Sequence, residues 1–201
     1  PQAIPYLRAV SETRSVNSQS DGSESYLRRL WLNGVPETVD SWSPHFKWSL
    51  SLSHEKLESY LHHNIKKLKN DRETAPFVVA PATAKFGMLR DIQVIERGLS
   101  GTIKSLLVKT SQGDWKVSKE LVIRDLFASK AAAVPRLKSA RFFIKKVIGA
   151  RANTTNLKLY GLGWGHGVGL QQTGAQGWAK QGLGYSQILA HYYQGTILEK
   201  L

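Results

Sequence analysis

Residues 90–119 read RDIQVIERGLSGTIKSLLVKTSQGDWKVSK, and this stretch decides the fold class. Apolar residues recur with a period of two in short runs: Ile92 and Val94, then Ile103, Leu106 and Val108. Gly98, Gly101 and Gly113 punctuate them. Alternation broken by glycine-bearing turns is the pattern of half-buried antiparallel strands, so the stretch predicts a β-meander of three or so strands. Upstream the period differs. Leu57, Tyr60, Leu61, Ile65 and Leu68 fall three and four apart, which puts them on one face of a helix running to about Lys69, with Ser53 as its N-cap. Downstream, Ser118 is expected to cap a short helix over 119–127. Strands are expected at 138–148 and 157–160, and Tyr6–Val10 is a short strand-like run. Helices and strands in separate blocks make an α+β chain with mixed or antiparallel sheet, several short helices and no internal repeat.

Composition bounds the rest. The chain has 201 residues, 41% hydrophobic and 21% charged, which suits a folded domain with a real core. No apolar run approaches the ~18–20 residues of a membrane helix. The absence of cysteine excludes disulfides, zinc–thiolate sites and iron–sulfur clusters. A net charge of +13 implies an anionic environment: nucleic acid, anionic lipid or an acidic wall polymer. Residues 11–25 hold six serines among other polar residues and read as a loop; Tyr26–Val35 is an apolar-rich element ending at the turn dipeptide Asn33-Gly34. The chain begins with Pro1 and shows no secretion signal, so it reads as a piece of something longer.

His54, Glu58 and His62 stand four apart on the polar face of the helix after Ser53. Such a trio suits a metal, but without apolar shelter it reads better as a solvated face, and the zinc-protease pattern HExxH is absent; no metal is expected.

The last fifty residues carry the chemistry. Between Ala152 and Leu201 the charged residues are Lys158, Lys180, Glu199 and Lys200, and ten of the 17 glycines lie between Gly161 and Gly195. At the centre, 161–170 reads GLGWGHGVGL. Glycine at alternate positions predicts a strand with Leu162, Trp164, His166, Val168 and Leu170 on one side and bare backbone on the other, as a substrate groove requires. The glycine spacing fits neither a Walker A loop nor a dinucleotide fingerprint, which argues against nucleotide binding. A helix is expected over 172–181, with Gly174 and Gly177 permitting close packing and Gly182 as its stop; a second, capped by Ser186, is expected over 187–193.

These residues also carry a resemblance. Residues 163–175 (GWGHGVGLQQTGA), then 179–182 (AKQG), Tyr185, Ile188-Leu189 and 191–196 (HYYQGT), resemble the closing signature of the sporulation stage II protein D family, SpoIID, with its amidase-enhancer relatives called LytB. Upstream, 4–10 (IPYLRAV), 121–124 (LVIR) and 137–142 (LKSARF) match weaker family patterns in the correct order, so the likeness spans nearly the whole chain as one SpoIID-like domain portion, with 90–150 its β-rich part and 157–196 the glycine-rich signature. Gln171 and Gln194 stand where the family commonly has Ser and Pro.

The resemblance implies a lytic transglycosylase, or a helper, acting on peptidoglycan outside the cytoplasm, often on strands stripped of their peptides. His166 and Gln172 would line the cleft, with Trp164 and Tyr192 supporting or stacking on the glycan. No cofactor is implied. The family's acid is a Glu in a Pro-Ser-Glu-Met/Trp-Pro segment followed by an Ala-rich helix; neither motif stands in this sequence. The catalytic Glu is therefore expected upstream of Pro1, no catalytic residue is assigned here, and the chain is expected to supply the cleft but to be inactive by itself. The partners so implied are glycan strands, a wall amidase and an N-terminal companion fragment, with anchoring through a missing N-terminal segment. The alternatives are a non-catalytic wall-binding or amidase-enhancing module and, from charge alone, a nucleic-acid-binding domain. Against the last, the basic residues are dispersed and the glycine-rich end is nearly neutral.

Overall fold

The computed structural model describes residues 4–10, 12, 22–32, 38–129, 136–148 and 155–199. Most of the polar loop of 11–25 and the Asn33-Gly34 turn lie outside the described residues. The elements in order are α1 (Glu24–Leu32), β1 (Lys47–Leu52), α2 (His54–Asn70), β2 (Val78–Val79), β3 (Leu89–Arg97), β4 (Ile103–Thr110), β5 (Gly113–Ser118), α3 (Glu120–Leu126), β6 (Phe142–Ile148), β7 (Thr155–Leu162), α4 (Gln172–Lys180) and α5 (Tyr185–Tyr192). The expected meander is β3–β4–β5, which with β2 makes a four-stranded antiparallel sheet of order β2-β5-β4-β3. The second sheet is three-stranded, order β1-β7-β6, also antiparallel. The fold is α+β.

Helix α2 packs against both sheets. Ser53 caps it, its hydroxyl accepting the Lys56 N–H. Leu57, Leu61, Ile65 and Leu68 are buried with Ile103, Leu106 and Val108 of one sheet and Phe142, Leu157 and Leu159 of the other. Each fully buried Leu or Ile contributes about 1.5–3 kcal/mol. Tyr60 is only partly buried at the core's edge. On the polar face, His54 Nε2 lies 4.0 Å from the Glu58 carboxylate, which also accepts the Leu89 N–H, and His62 stacks on Phe86. His54 and Glu58 are half-buried and His62 is exposed.

Helix α1 closes the outer face of the three-stranded sheet at one end, where Leu27 and Leu30 bury against Phe143 and Leu162. Gly101 sits beneath it at φ +83°, and a Cβ there would press into the Leu27 side chain.

Four local expectations are corrected. Tyr6–Val10 forms no strand: after a turn in which the Leu7 N–H reaches Ile4 O, the segment pairs with neither sheet and is largely exposed. Helix α3 is capped by the backbone of Lys119 at φ +70°, not by Ser118, whose register opposite Ser105 keeps it in β5. Helix α5 starts at Tyr185 after Gly184, whose N–H is accepted by the Gln187 side chain, so Ser186 lies inside it. The fourth concerns the glycine-rich stretch. β7 ends at Leu162, and Gly163, Gly165, Gly167 and Gly169 all have positive φ (+75°, +135°, +77° and +78°). A left-handed residue at every second position turns the chain each time. The stretch is therefore a loop; Leu162 is buried while Trp164, His166 and Val168 are exposed, and the one-sided row does not form.

Candidate functional site

The two C-terminal helices dock through glycines, as their spacing predicts. A Cβ on Gly177 would overlap the backbone of Val39, so α4 lies directly on the 38–40 segment. A Cβ on Gly174, one turn earlier, would overlap the Tyr192 hydroxyl and the carboxylate of Glu12. The site grows out of that second contact.

Glu12 is fixed from three sides. Its backbone carbonyl accepts the Val39 N–H at 3.1 Å. Its Oε2 accepts the Tyr192 hydroxyl at 3.1 Å and the Trp178 indole N–H at 3.2 Å. Burial pushes the carboxyl up to about 7, and the nearby charge of Asp40 pushes the same way; the two hydrogen bonds and the Arg141 guanidinium only partly oppose them. Tyr192 itself is pushed well above the usual phenol range, first by burial and then by the charge of Glu12, so its hydroxyl stays a donor. His191, edge-on to both Trp178 and Tyr192, is pushed down by burial.

Around this carboxyl the polar groups are incompletely matched. Asp40 is buried; its Oδ2 accepts from Gln171 Nε2, while Oδ1 has no partner among the described residues. Arg141 Nε and His191 Nε2 are likewise buried without a partner among the described residues. A site that keeps a carboxyl neutral near neutral pH, beside unmatched buried donors and acceptors, can give and take a proton and can accept polar groups from a ligand.

The glycine-rich loop is tied to the same region. The Gly163 N–H bonds Phe46 O, the Gly165 N–H bonds Lys138 O, and the Leu170 N–H reaches the Tyr193 hydroxyl at 3.3 Å. Trp164 packs edge-on against His45 with ring centroids 4.3 Å apart, carries Lys138 over its face and is 61% exposed. An open cleft lies along the same 41–47 segment, lined by Ser41, Ser43, Pro44, Phe46 and Lys47. Segment 39–47 thus runs from the Glu12 contact to the base of the glycine loop.

Of the residues singled out from sequence, Tyr192 hydrogen-bonds Glu12, and Trp164 packs against His45 of the segment that carries the cleft without lining the cleft itself. His166 is exposed, its Nδ1 accepting the Val168 N–H at 3.1 Å, and Gln172 is the exposed first residue of α4. Among the described residues no hydrogen bond joins either to Glu12. Among the described residues no three His, Asp or Glu side chains group as metal ligands, and no helix is long and apolar enough to cross a membrane. Sequence reasoning passed over Glu12, Asp40, Arg141 and Trp178. One signal for Glu12 existed: Ser11-Glu12 repeats the Ser-Glu pair of the acid segment of the resembling family, but with Val10 and Thr13 in place of its flanking Pro and Met or Trp.

Comparison with known proteins adds two findings. A family described as a domain of unknown function, DUF8618, matches residues 1–169, which takes in Glu12, Asp40, Arg141 and the glycine-rich loop. The amidase enhancer of Bacillus subtilis (strain 168) is 25% identical over 212 aligned residues, covering 92% of this chain and 29% of that protein. The chain therefore spans less than a third of the length of this curated relative.

Proposed function

The chain belongs to the DUF8618 family of domains of unknown function, and we propose that it acts in the cell wall as a lytic transglycosylase on peptidoglycan glycan strands, with Glu12 as its general acid. The observation that carries this reading is the Glu12 carboxyl, half-buried, hydrogen-bonded by Trp178 of α4 and Tyr192 of α5 and pushed up to about 7. The relative's name, amidase enhancer, supports a wall-related role outside the cytoplasm.

The chemistry follows from one proton moving out and back. Protonated Glu12 gives its proton to the glycosidic oxygen as the bond from that oxygen to the anomeric carbon breaks. Oε2 already accepts two hydrogen bonds, so the proton would sit on Oε1. The resulting carboxylate then takes a proton from the 6-hydroxyl of the same sugar, whose oxygen bonds to the anomeric carbon and closes an anhydro ring. Glu12 ends protonated, and no water is consumed. Asp40 Oδ1, buried without a partner among the described residues, offers an acceptor for a sugar hydroxyl. Trp164 offers an exposed ring for stacking, and His166 and Gln172 offer polar contacts along the loop.

The test is digestion of peptide-stripped glycan followed by mass spectrometry. Wild-type protein should release chains ending in the anhydro sugar, and Glu12→Gln should not. A second reading, non-catalytic enhancement of a wall amidase, rests on the relative's name alone. It requires that no anhydro ends appear with wild-type protein and that Glu12→Gln stimulate an added amidase as well as wild type does.

A further inference from the structure

Among the described residues, the outer face of the three-stranded sheet is covered by α1 at one end only. On this face β1 presents Lys47, Ser49 and Ser51, β7 presents Tyr160, Lys158 and Asn156, and β6 presents Phe143, Lys145 and Val147, by the register of the ladders. Helix α1 seals the end holding Phe143 and Tyr160. At the other end Lys145 and Lys158 stand directly opposite each other on neighbouring strands, both exposed. Ser51, on the far side of Lys158, is exposed as well, and so is Ser49.

Like charges directly opposite in a ladder destabilise it. Here no acid offsets them: none of these strand positions is Asp or Glu, and among the described residues neither lysine has an ion pair. Protection of a sheet edge accounts for a lysine on β6, which is an edge strand. It does not account for Lys158, because β7 is the central strand. Arg28 of α1 lies over the covered end, its guanidinium 5.3 Å from the Phe143 ring centroid and paired with Glu24 at 3.5 Å, so the unpaired positive charge sits at the open end.

We infer that the open end of this face, centred on Lys145 and Lys158, binds a flexible polymer of phosphodiesters of the kind that charges a cell wall. Two adjacent ammonium groups flanked by exposed serine hydroxyls suit repeated phosphate oxygens and demand no particular sequence. Nucleic acid fits the face less well. Its rings, Phe143 and Tyr160, stack on each other beneath α1 and leave no exposed platform for bases, and a flat sheet face inserts nothing into a duplex groove. A membrane surface fits less well too, because among the described residues the open end presents no large exposed apolar side chain to insert.

The inference does not depend on glycan cleavage, and its test reads binding alone. Affinity for purified poly(glycerol phosphate) is measured across a salt series for wild type, for Lys145→Ser with Lys158→Ser, and for Lys66→Ser with Lys67→Ser, an equal charge change on the exposed face of α2. The sheet variant should bind roughly tenfold more weakly near 0.1 M salt. Its log–log salt slope should be shallower by about 1.4, two contacts at ~0.7 each. Its thermal midpoint should match or exceed that of wild type, since a like-charge pair is gone. The α2 variant should stay within about twofold of wild type, as expected for charges outside the contact. Equal weakening by the α2 variant, no weakening by the sheet variant, or tighter binding to duplex DNA or to phosphatidylglycerol vesicles than to the polymer at the same salt would overturn the inference.

Discussion

Two buried charge clusters of this molecule are built in opposite ways. At α3, Arg124 is satisfied: its Nε donates to Leu137 O at 2.7 Å, one guanidinium nitrogen bonds Glu120 at 2.9 Å, and its own carbonyl receives the Leu137 N–H. The cluster pins the segment leading into β6 against α3. At Glu12 the charges are buried without being matched. The carboxyl is held neutral to near pH 7, one oxygen of Asp40 is idle, and so is Arg141 Nε, among the described residues. Burying a polar group unpaired costs free energy that a purely structural cluster avoids. The matched cluster reads as scaffold; the unmatched one is where the proposed chemistry is placed.

Exchanging single groups should separate the two. The largest effect is expected for Glu12→Gln, which keeps the shape and removes the proton: glycan cleavage should fall about 10²–10⁴-fold, the usual worth of a general acid. The same variant should gain stability relative to wild type as pH rises. Below its ordinary value of 4.5, Glu12 is neutral both folded and unfolded; between 4.5 and about 7 only the unfolded chain ionises, which drains stability from the wild type. At pH 8 denaturant unfolding should therefore favour the variant by on the order of 3 kcal/mol, and at pH 4 by almost nothing.

Next comes Arg124→Ala. Breaking one half of a buried pair should cost about 3–5 kcal/mol in urea unfolding, while the pH dependence of any remaining activity stays in place. A changed pH profile would dissolve the distinction between the clusters. Gly174→Ala should cost roughly 1–3 kcal/mol by overpacking, and should also lower turnover, because the added methyl displaces Tyr192 and Glu12 together. The smallest effect is expected for Tyr192→Phe. Losing one hydrogen bond, worth about 0.5–1.5 kcal/mol, should slow cleavage by up to about tenfold. That bond opposes the upward push on Glu12, so the pH at which activity falls off should move higher, which a pH–rate profile would show.

The scaffold was far more legible in the sequence than the site, for a physical reason. Periodicity is local: the apolar face of α2 with its Ser53 cap, the alternation of β3 to β5 and the Gly174–Gly177 pair are each written within a few residues. The site is not. Glu12 meets Trp178 and Tyr192 across separations of 166 and 180 residues, and nothing near Glu12 announces that it will be buried. The glycine-rich stretch shows the opposite failure. Alternating glycines satisfy a period of two, yet the same freedom that suits a strand permits positive φ, and the backbone took the latter. The resemblance pointed to Tyr192 and Trp164 as candidate glycan contacts, whereas Glu12, to which only Tyr192 of the two is hydrogen-bonded, stands in a serine-rich run.

The central claim is that one carboxyl of this protein keeps its proton to near neutral pH. Carbon-13 labelling of the glutamate side-chain carboxyls, followed through a pH titration by NMR, measures this directly. The account predicts one resonance with a midpoint near 7 in the wild-type protein that vanishes in Glu12→Gln. Glutamates that all titrate in the ordinary range, around 4.3, would contradict it.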